Sequence, residues 1–138
     1  MSAAVQREDF DLSTEVAALC AGRSDVGAVC SFIGVVRDGP LTLEHYPAMT
    51  LKSLEQIASA AQTRFSLLNL RIIHRFGALE AGEQIVLAAV ASRHRQAAFE
   101  AAAYIMDHLK SRAPFWKLEG GTWVQARESD ALALRAWD

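Results

Sequence analysis

Lys110 and Lys117 stand on either side of Pro114 in "HLKSRAPFWKLEGG", residues 108–121. A lysine ammonium can neutralise an anion or, when partly desolvated, take part in proton transfer. Two of them on either side of a forced break could frame an anionic site. Proline cannot continue a helix, so Lys110 closes one element and Lys117 opens the next. Alternation along "PFWKLE" puts Phe115, Lys117 and Glu119 on one face of a strand and Trp116 and Leu118 on the other. Ordinary structural chemistry accounts for the same residues. Cations near a helix C-terminus gain roughly 0.3–1 kcal/mol, and a surface lysine can lay its stem over an aromatic ring.

Two further basic points invite an anion. "SRHRQAAFE", residues 92–100, joins an apolar strand to a helix start, where free backbone N–H groups and the positive dipole end meet His94 and Arg95. Cationic side chains oppose the dipole there, so the pair either serves a bound anion or points into water. Arg37 follows an apolar strand and opens a turn. Its planar fork of donors suits phosphate or carboxylate, and a solvated turn residue has the same signature. His94 and Lys110 are 16 positions apart on one helix, which is about 24 Å at ~1.5 Å per residue. If both serve one small anion, a second copy of the chain must bring one of them, which predicts a homodimer with shared sites.

Other chemistries find no support. The histidines at 45, 74, 94 and 108 form no metal-ligand pattern, and there is no Gly-rich phosphate loop and no G-x-S-x-G turn. Neither a metal nor an organic cofactor is expected. Cys20 and Cys30 read as reduced, buried thiols. A nucleophilic Cys30 would sit inside the apolar run "VGAVCSFIGVV", where burial blunts it. The net charge of −2 argues against a protein built to grip nucleic acid. "IVLAAVA" is too short to cross a membrane, which takes about 20 apolar residues. "MSAAVQREDFDLS" has no signal-peptide pattern, so a cytoplasmic protein is expected. With 138 residues, 51% of them hydrophobic, the chain fits one globular domain over 1–138.

The elements that must position these residues follow from periodicity. "DLSTEVAALCAG" reads as a short helix capped by Ser13 or Asp11. Residues 26–36 are apolar and β-branched, as suits a well-buried strand. "RDGP" is a turn, and "LTLEHY" alternates as a hairpin partner ended by Pro47. A long amphipathic helix carries Met49, Leu51, Leu54, Ile57, Ala58, Ala61 and Phe65 at three- and four-residue steps. Residues 69–77 form a strand stopping at Gly77, and 83–92 another buried strand. The helix of "RQAAFEAAAYIMDHLKSR" has Ala98, Ala102, Ile105 and Leu109 as its core stripe. "PFWKLE" and "TWVQAR" flank Gly120-Gly121 as a closing hairpin. The order points to an α+β fold.

In this order and spacing "GAVCSFIGVVR", "LTLEHYPAM", "RIIHRFG", "SRHRQAAFEAAAYIMDHLKSRAPFWKLE" and "WVQARES" resemble the large, catalytic subunit of molybdopterin synthase, from about residue 8 to 138. The resemblance implies an α/β-hammerhead-like fold with an additional antiparallel β-sheet. It also implies a central homodimer within a heterotetramer, with a ubiquitin-like small subunit at each end. That subunit's C-terminal Gly-Gly thiocarboxylate would deliver sulfur to cyclic pyranopterin monophosphate, forming the dithiolene of molybdopterin. Carried over by motif, Lys110 and Lys117 match the family's active-site lysines, Arg37 the arginine after the first long strand, and His94 and Arg95 the basic pair of the substrate pocket. Val35, Val36 and Arg37, and Lys117, Leu118 and Glu119, match substrate-contacting stretches. The sulfur would arrive already activated, in keeping with the lack of a reactive cysteine. Two connections, "RDGPLTLEHY" and "LEGGT", are shorter than the family's. A non-catalytic module that binds a ubiquitin-like carrier tail is the alternative.

Overall fold

The computed structural model describes residues 2–113, 115–119, 122–124 and 137. Its centre is β6 (Gln84–Ser92), buried from residue 85 onward because both of its faces are covered. β4 (Asn69–Arg75) runs antiparallel to β6, β1 (Ala3–Gln6) parallel to β4, and β2 (Ala28–Val35) antiparallel to the other side of β6. The strand order of this first sheet is β1-β4-β6-β2.

Three helices sandwich it. α2 (Pro47–Phe65) and α3 (Arg95–Arg112) lie on one face, where Leu54, Ile57 and Ala61 and the stripe Ala98, Ile105 and Leu109 meet Leu70, Ile72, Val86, Ala88 and Val90. α1 (Leu12–Cys20) covers the opposite face, where Phe10 and Leu19 meet Ile73, Leu87, Ala89 and Ala91. Full burial of side chains such as Leu54, Ile72, Leu87 and Ile105 is worth about 1.5–3 kcal/mol each in transfer free energy. Asp11, not Ser13, caps α1 by accepting from the Thr14 N–H. Pro47 occupies the first turn of α2, where its missing N–H costs nothing.

A second sheet stands beside the first. β5 (Gly77–Leu79), β3 (Leu41–His45), β7 (Phe115–Glu119) and β8 (Thr122–Val124) pair antiparallel in the order β5-β3-β7-β8. Gly77, at φ +95, carries the chain from β4 in the first sheet into β5 in the second, a backbone conformation that glycine takes at little cost. The architecture is α+β, as expected.

Several expectations are corrected. β3 is not the hairpin partner of β2. The turn after β2 bonds to the β5–β6 connection, through Val36 N–H to the Glu83 carbonyl and Gly82 N–H to the Val36 carbonyl, and β3 joins the second sheet. Gly77 does not end a strand but begins one. β2, expected to be well buried, is an edge strand with Val29, Phe32 and Val35 exposed. Cys20 and Cys30 are free but only half-buried. Met49 leaves the α2 stripe and is exposed. β1 was not anticipated at all. Pro114, Gly120, Gly121 and residues 125–127 of the expected closing hairpin lie outside the described residues.

Candidate active site

Strand directions decide which basic residues can meet. β6 ends at Ser92, and α3 folds back over the sheet from Arg95, so the C-terminal end of α3 returns to the end where β6 began. His74 pairs with Val86 near that beginning. It alternates with Leu70 and Ile72 on the face that α3 covers. Lys110, in the last turn of α3, therefore comes to the His74 end of the sheet. Val35 pairs with Gln84 at the same end, so the turn that carries Arg37 leaves β2 there, from a strand two places from β4 and roughly 10 Å from it across the sheet.

β7 supplies the second lysine. His45 pairs with Phe115 and Leu43 with Lys117, so these four share one face of the second sheet. The Phe115 ring lies 3.8 Å from the His74 ring, at 20° to it. The His45 ring lies 6.0 Å from the Phe115 ring, at 11° to it, and in turn stacks on Phe76 at 4.2 Å. The Arg7 guanidinium caps Phe76 at 4.6 Å. This column of near-parallel rings joins the two sheets, and Lys117 stands beside it over the buried Leu43. Both ammonium groups reach His74 electrostatically. Burial first, and then the charges of Lys110 and Lys117, push the His74 imidazole down to about 3, against a bond to the Arg75 carbonyl that favours the proton. His45 is also lowered, by burial first, and its Nδ1 is buried with no hydrogen-bond partner among the described residues.

The remaining candidates divide by position. Arg37 is 85% exposed and lies near Asp38 at 3.8 Å, a solvated pair of small energetic consequence. Val35 is half exposed, but Val36 is buried in the core with both backbone groups bonded. It anchors the turn that carries Arg37 and offers a ligand no side chain from this chain's surface. Leu118 faces away from Lys117 by alternation, opposite Thr42. The backbone of Glu119 ends β7. His94 and Arg95 lie exposed at the start of α3, His94 as N-cap without a side-chain cap bond. They are a helix length from Lys110, about 24 Å at ~1.5 Å per residue. One chain thus brings Lys110 and Lys117 to the His74 end of the sheet, carries Arg37 on an exposed turn at the end of β2, and leaves His94 and Arg95 at the far end of α3.

Sequence reasoning missed His74, His45 and Phe115 as parts of this site. The signal was present: in "LRIIHR" the histidine continues the Leu70–Ile72 alternation, which puts a titratable ring on a core face. Among the described residues no cluster of His, Cys, Asp or Glu could hold a metal, and no helix is long and apolar enough to cross a membrane.

Comparison with known proteins gives the family. The model of the MoaE protein family matches residues 5–112. The chain belongs to the MoaE family. A MoaE relative, the molybdopterin synthase catalytic subunit of Mesorhizobium japonicum, is 51% identical over 144 aligned positions that cover 96% of this chain and 91% of that protein. Since 96% of 138 residues is about 132, about a dozen of those positions are filled in the relative and empty here, in accord with the short connections noted above. The structure of the molybdopterin biosynthesis MoaE protein from Burkholderia ambifaria MC40-6 superposes with a TM-score of 0.90 at 46% identity, over 99% of this chain and 98% of that one. The protein–protein complex of subunits 1 and 2 of molybdopterin-converting factor from Helicobacter pylori contains a chain that matches at a TM-score of 0.75 and 23% identity, over 93% of this chain and 92% of that one, a likeness of fold.

Proposed function

We propose that sulfur transfer takes place at the end of the first sheet where Lys110 and Lys117 converge on His74. The chain is the catalytic subunit of a molybdopterin synthase, a sulfurtransferase of molybdenum cofactor biosynthesis, by its family and its curated relatives. In this reading the C-terminal thiocarboxylate of a ubiquitin-like small subunit enters beside Lys117. Its sulfur attacks a carbon of cyclic pyranopterin monophosphate, forming a C–S bond as a C–O bond to the departing oxygen breaks; water then cleaves the acyl C–S bond, the tail leaves as a carboxylate and the sulfur stays on the substrate, while the lysines stabilise the developing charge and move the protons. In the same reading Arg37, exposed on its turn after β2, would hold the substrate phosphate with its planar fork of donors. The whole would work in the cytoplasm. The reading is carried by the meeting of elements: the last turn of α3, which bears Lys110, and β7, which bears Lys117, come to the end of the first sheet where Phe115 stacks on His74.

The site is completed by a second copy. His94 and Arg95 are too far along α3 to join Lys110 in their own chain, and β2 presents Val29, Phe32 and Val35 on an open sheet edge. Phe99, one turn from Arg95, is 64% exposed. Pairing of two chains over these apolar residues would cover them and carry one chain's His94 and Arg95 toward the other's lysines. The resulting dimer would take one small subunit at each end, as a heterotetramer.

Reconstitution with thiocarboxylated small subunit and cyclic precursor tests the function. Dithiolene product is expected, and its loss in Lys110→Ala and in Lys117→Ala with the fold retained. Full activity of both variants would remove the roles given to the lysines. Carrier binding without any turnover by the unaltered chain would instead make it a binding module.

A further inference from the structure

We propose that Ser92 is a positioning residue for the basic pair of His94 and Arg95, and that it holds the pair in register with β2, the strand edge over which two copies would meet. The inference rests on the reading in which one chain's His94 and Arg95 complete the other chain's site.

His94 stands where another residue type is usual. It is the N-cap of α3, in extended backbone at φ −131° and ψ 149°, and its side chain makes no cap bond. Serine, threonine, aspartate and asparagine are preferred there because their oxygen takes an orphan N–H of the first turn. The first turn has no acidic residue either. The side chain of His94 therefore does not hold the corner between β6 and α3, and it stays exposed. The holding group is two residues back. Ser92 is 1% exposed, and its hydroxyl donates to the His94 carbonyl at 2.5 Å. That bond spans the corner from inside. It constrains the peptide plane between His94 and Arg95, and so the backbone from which both side chains leave.

The same residue is tied to β2. Ser92 pairs with Ala28, and its carbonyl accepts from the Gly27 N–H at 2.9 Å. The approach is so close that a Cβ on Gly27 would lie 2.1 Å from the Arg93 carbonyl oxygen. A backbone carbonyl cannot swing aside as a side chain can, so the corner is seated directly on the start of β2. The charged side chains nearby hold it less firmly. Arg93 reaches Asp25 only at 4.0 Å and its side chain is 66% exposed, while Asp25 is engaged by Arg23 at 3.1 Å. An exposed pair at that length contributes little. Ser92 is thus where the end of β6, the start of β2 and the backbone of His94 are joined. β2 carries the exposed Val29 and Phe32, so a copy docked over them would receive His94 and Arg95 in the position that Ser92 sets.

The test measures reconstituted activity of Ser92→Ala, Ser92→Thr and His94→Ala, alone and after exchange with Lys117→Ala. The pair is read as holding substrate rather than reacting. A positioning role therefore predicts that Ser92→Ala raises KM for the cyclic precursor about fivefold with kcat nearly unchanged, as suits the loss of one hydrogen bond. Threonine restores the hydroxyl on a β-branched frame that suits a strand, and should recover most of the loss. Exchange separates positioning from general damage. In an equal mixture with Lys117→Ala, half of the Ser92→Ala chains receive an intact His94 from the new partner, so activity per Ser92→Ala chain at low precursor should rise about threefold. Damage to the chain's own fold or its own lysines would give no rise, and that result would overturn the proposal. Unchanged kinetics in Ser92→Ala beside an impaired His94→Ala would overturn it while sparing the reading of His94. A fully active His94→Ala would bring down both. If Ser92→Ala does not fold, the hydroxyl proton of Ser92 in the unaltered protein decides by nuclear magnetic resonance: slow exchange with solvent is expected, and fast exchange overturns the assignment.

Discussion

His74 and Phe115 lie face to face, 3.8 Å between ring centroids, and that contact joins the two sheets at the point where both lysines arrive. One ring belongs to the core face of β4 and the other to the first residue of β7. Their stacking sets the distance between the end of α3 and the strand that follows it, and so between Lys110 and Lys117.

Acid stability should follow His74. Its folded value of about 3 lies below the ordinary imidazole value of 6.5, so the fold favours the neutral ring. The stability tied to it is complete above about pH 6.5 and is withdrawn as pH falls toward 3, at ~1.4 kcal/mol per pH unit. His45, shifted the same way, adds to the effect. The carboxylates of Asp9, Asp11 and Asp25 are lowered instead, by their hydrogen bonds first, and act only at more acid pH. Urea unfolding at pH 7 and at pH 5 should show the unaltered chain losing about 2 kcal/mol more than His74→Phe. Equal losses in the two proteins would show that the ring is not held neutral.

The open edge of β2 should be where copies meet. Phe32→Glu replaces an exposed apolar side chain on an edge strand, so the isolated chain should keep its stability within about 0.5 kcal/mol. Placed at an apolar interface, the same charge would cost several kcal/mol of association. Light scattering should find a dimeric mass for the unaltered chain and a monomeric mass for the variant, with the far-ultraviolet spectrum unchanged. A dimer that survives Phe32→Glu would move the interface elsewhere.

The helices and most strands were legible because their signals are local. Ala98, Ala102, Ile105 and Leu109 fall at steps of three and four, and all four are buried. Pairing was less legible. Asp38-Gly39-Pro40 announces a turn but not which strand receives the chain beyond it. The structure sends β3 to β5 and β7 because the partners of Leu43 and His45 are Gly77, Lys117 and Phe115, more than 30 residues away. Register depends on which faces must be buried together, and that is settled only when distant segments meet. The apolar run of β2 was read as burial within the chain, although an apolar edge can also be buried by another copy. Lys110, Lys117 and Arg37 were found by residue type and by family resemblance. His74 was passed over because histidines were weighed as metal ligands, and a lone ring on a core face has no sequence pattern of its own.

Gly77→Ala tests how closely the site depends on the passage between sheets. A Cβ there would come within 2.7 Å of Arg7 Nη1, the far end of a flexible side chain that can move away. The cost is therefore in the backbone, which at φ +95 is strained for any L side chain by roughly 1–2 kcal/mol. Thermal unfolding should shift down by an amount of that order. Because Gly77 leads β4 into β5, and β5 pairs with β3 behind His45, activity should fall further than stability alone explains. A variant that melts like the unaltered chain would mean that the junction relaxes without strain.

Mixing two inactive variants tests the shared site directly. Suppose His94 of one chain serves the lysines of the other. A dimer of one Lys117→Ala chain and one His94→Ala chain then has one site with both defects and one site with none. Each homodimer has two defective sites. After random exchange half the dimers are mixed, so activity should return to about a quarter of the unaltered level. Sites built within single chains would give no recovery, because every chain in the mixture carries a defect. The roughly 24 Å of α3 between His94 and Lys110 makes the first outcome the expected one, since a rigid helix cannot bring its two ends to one small substrate.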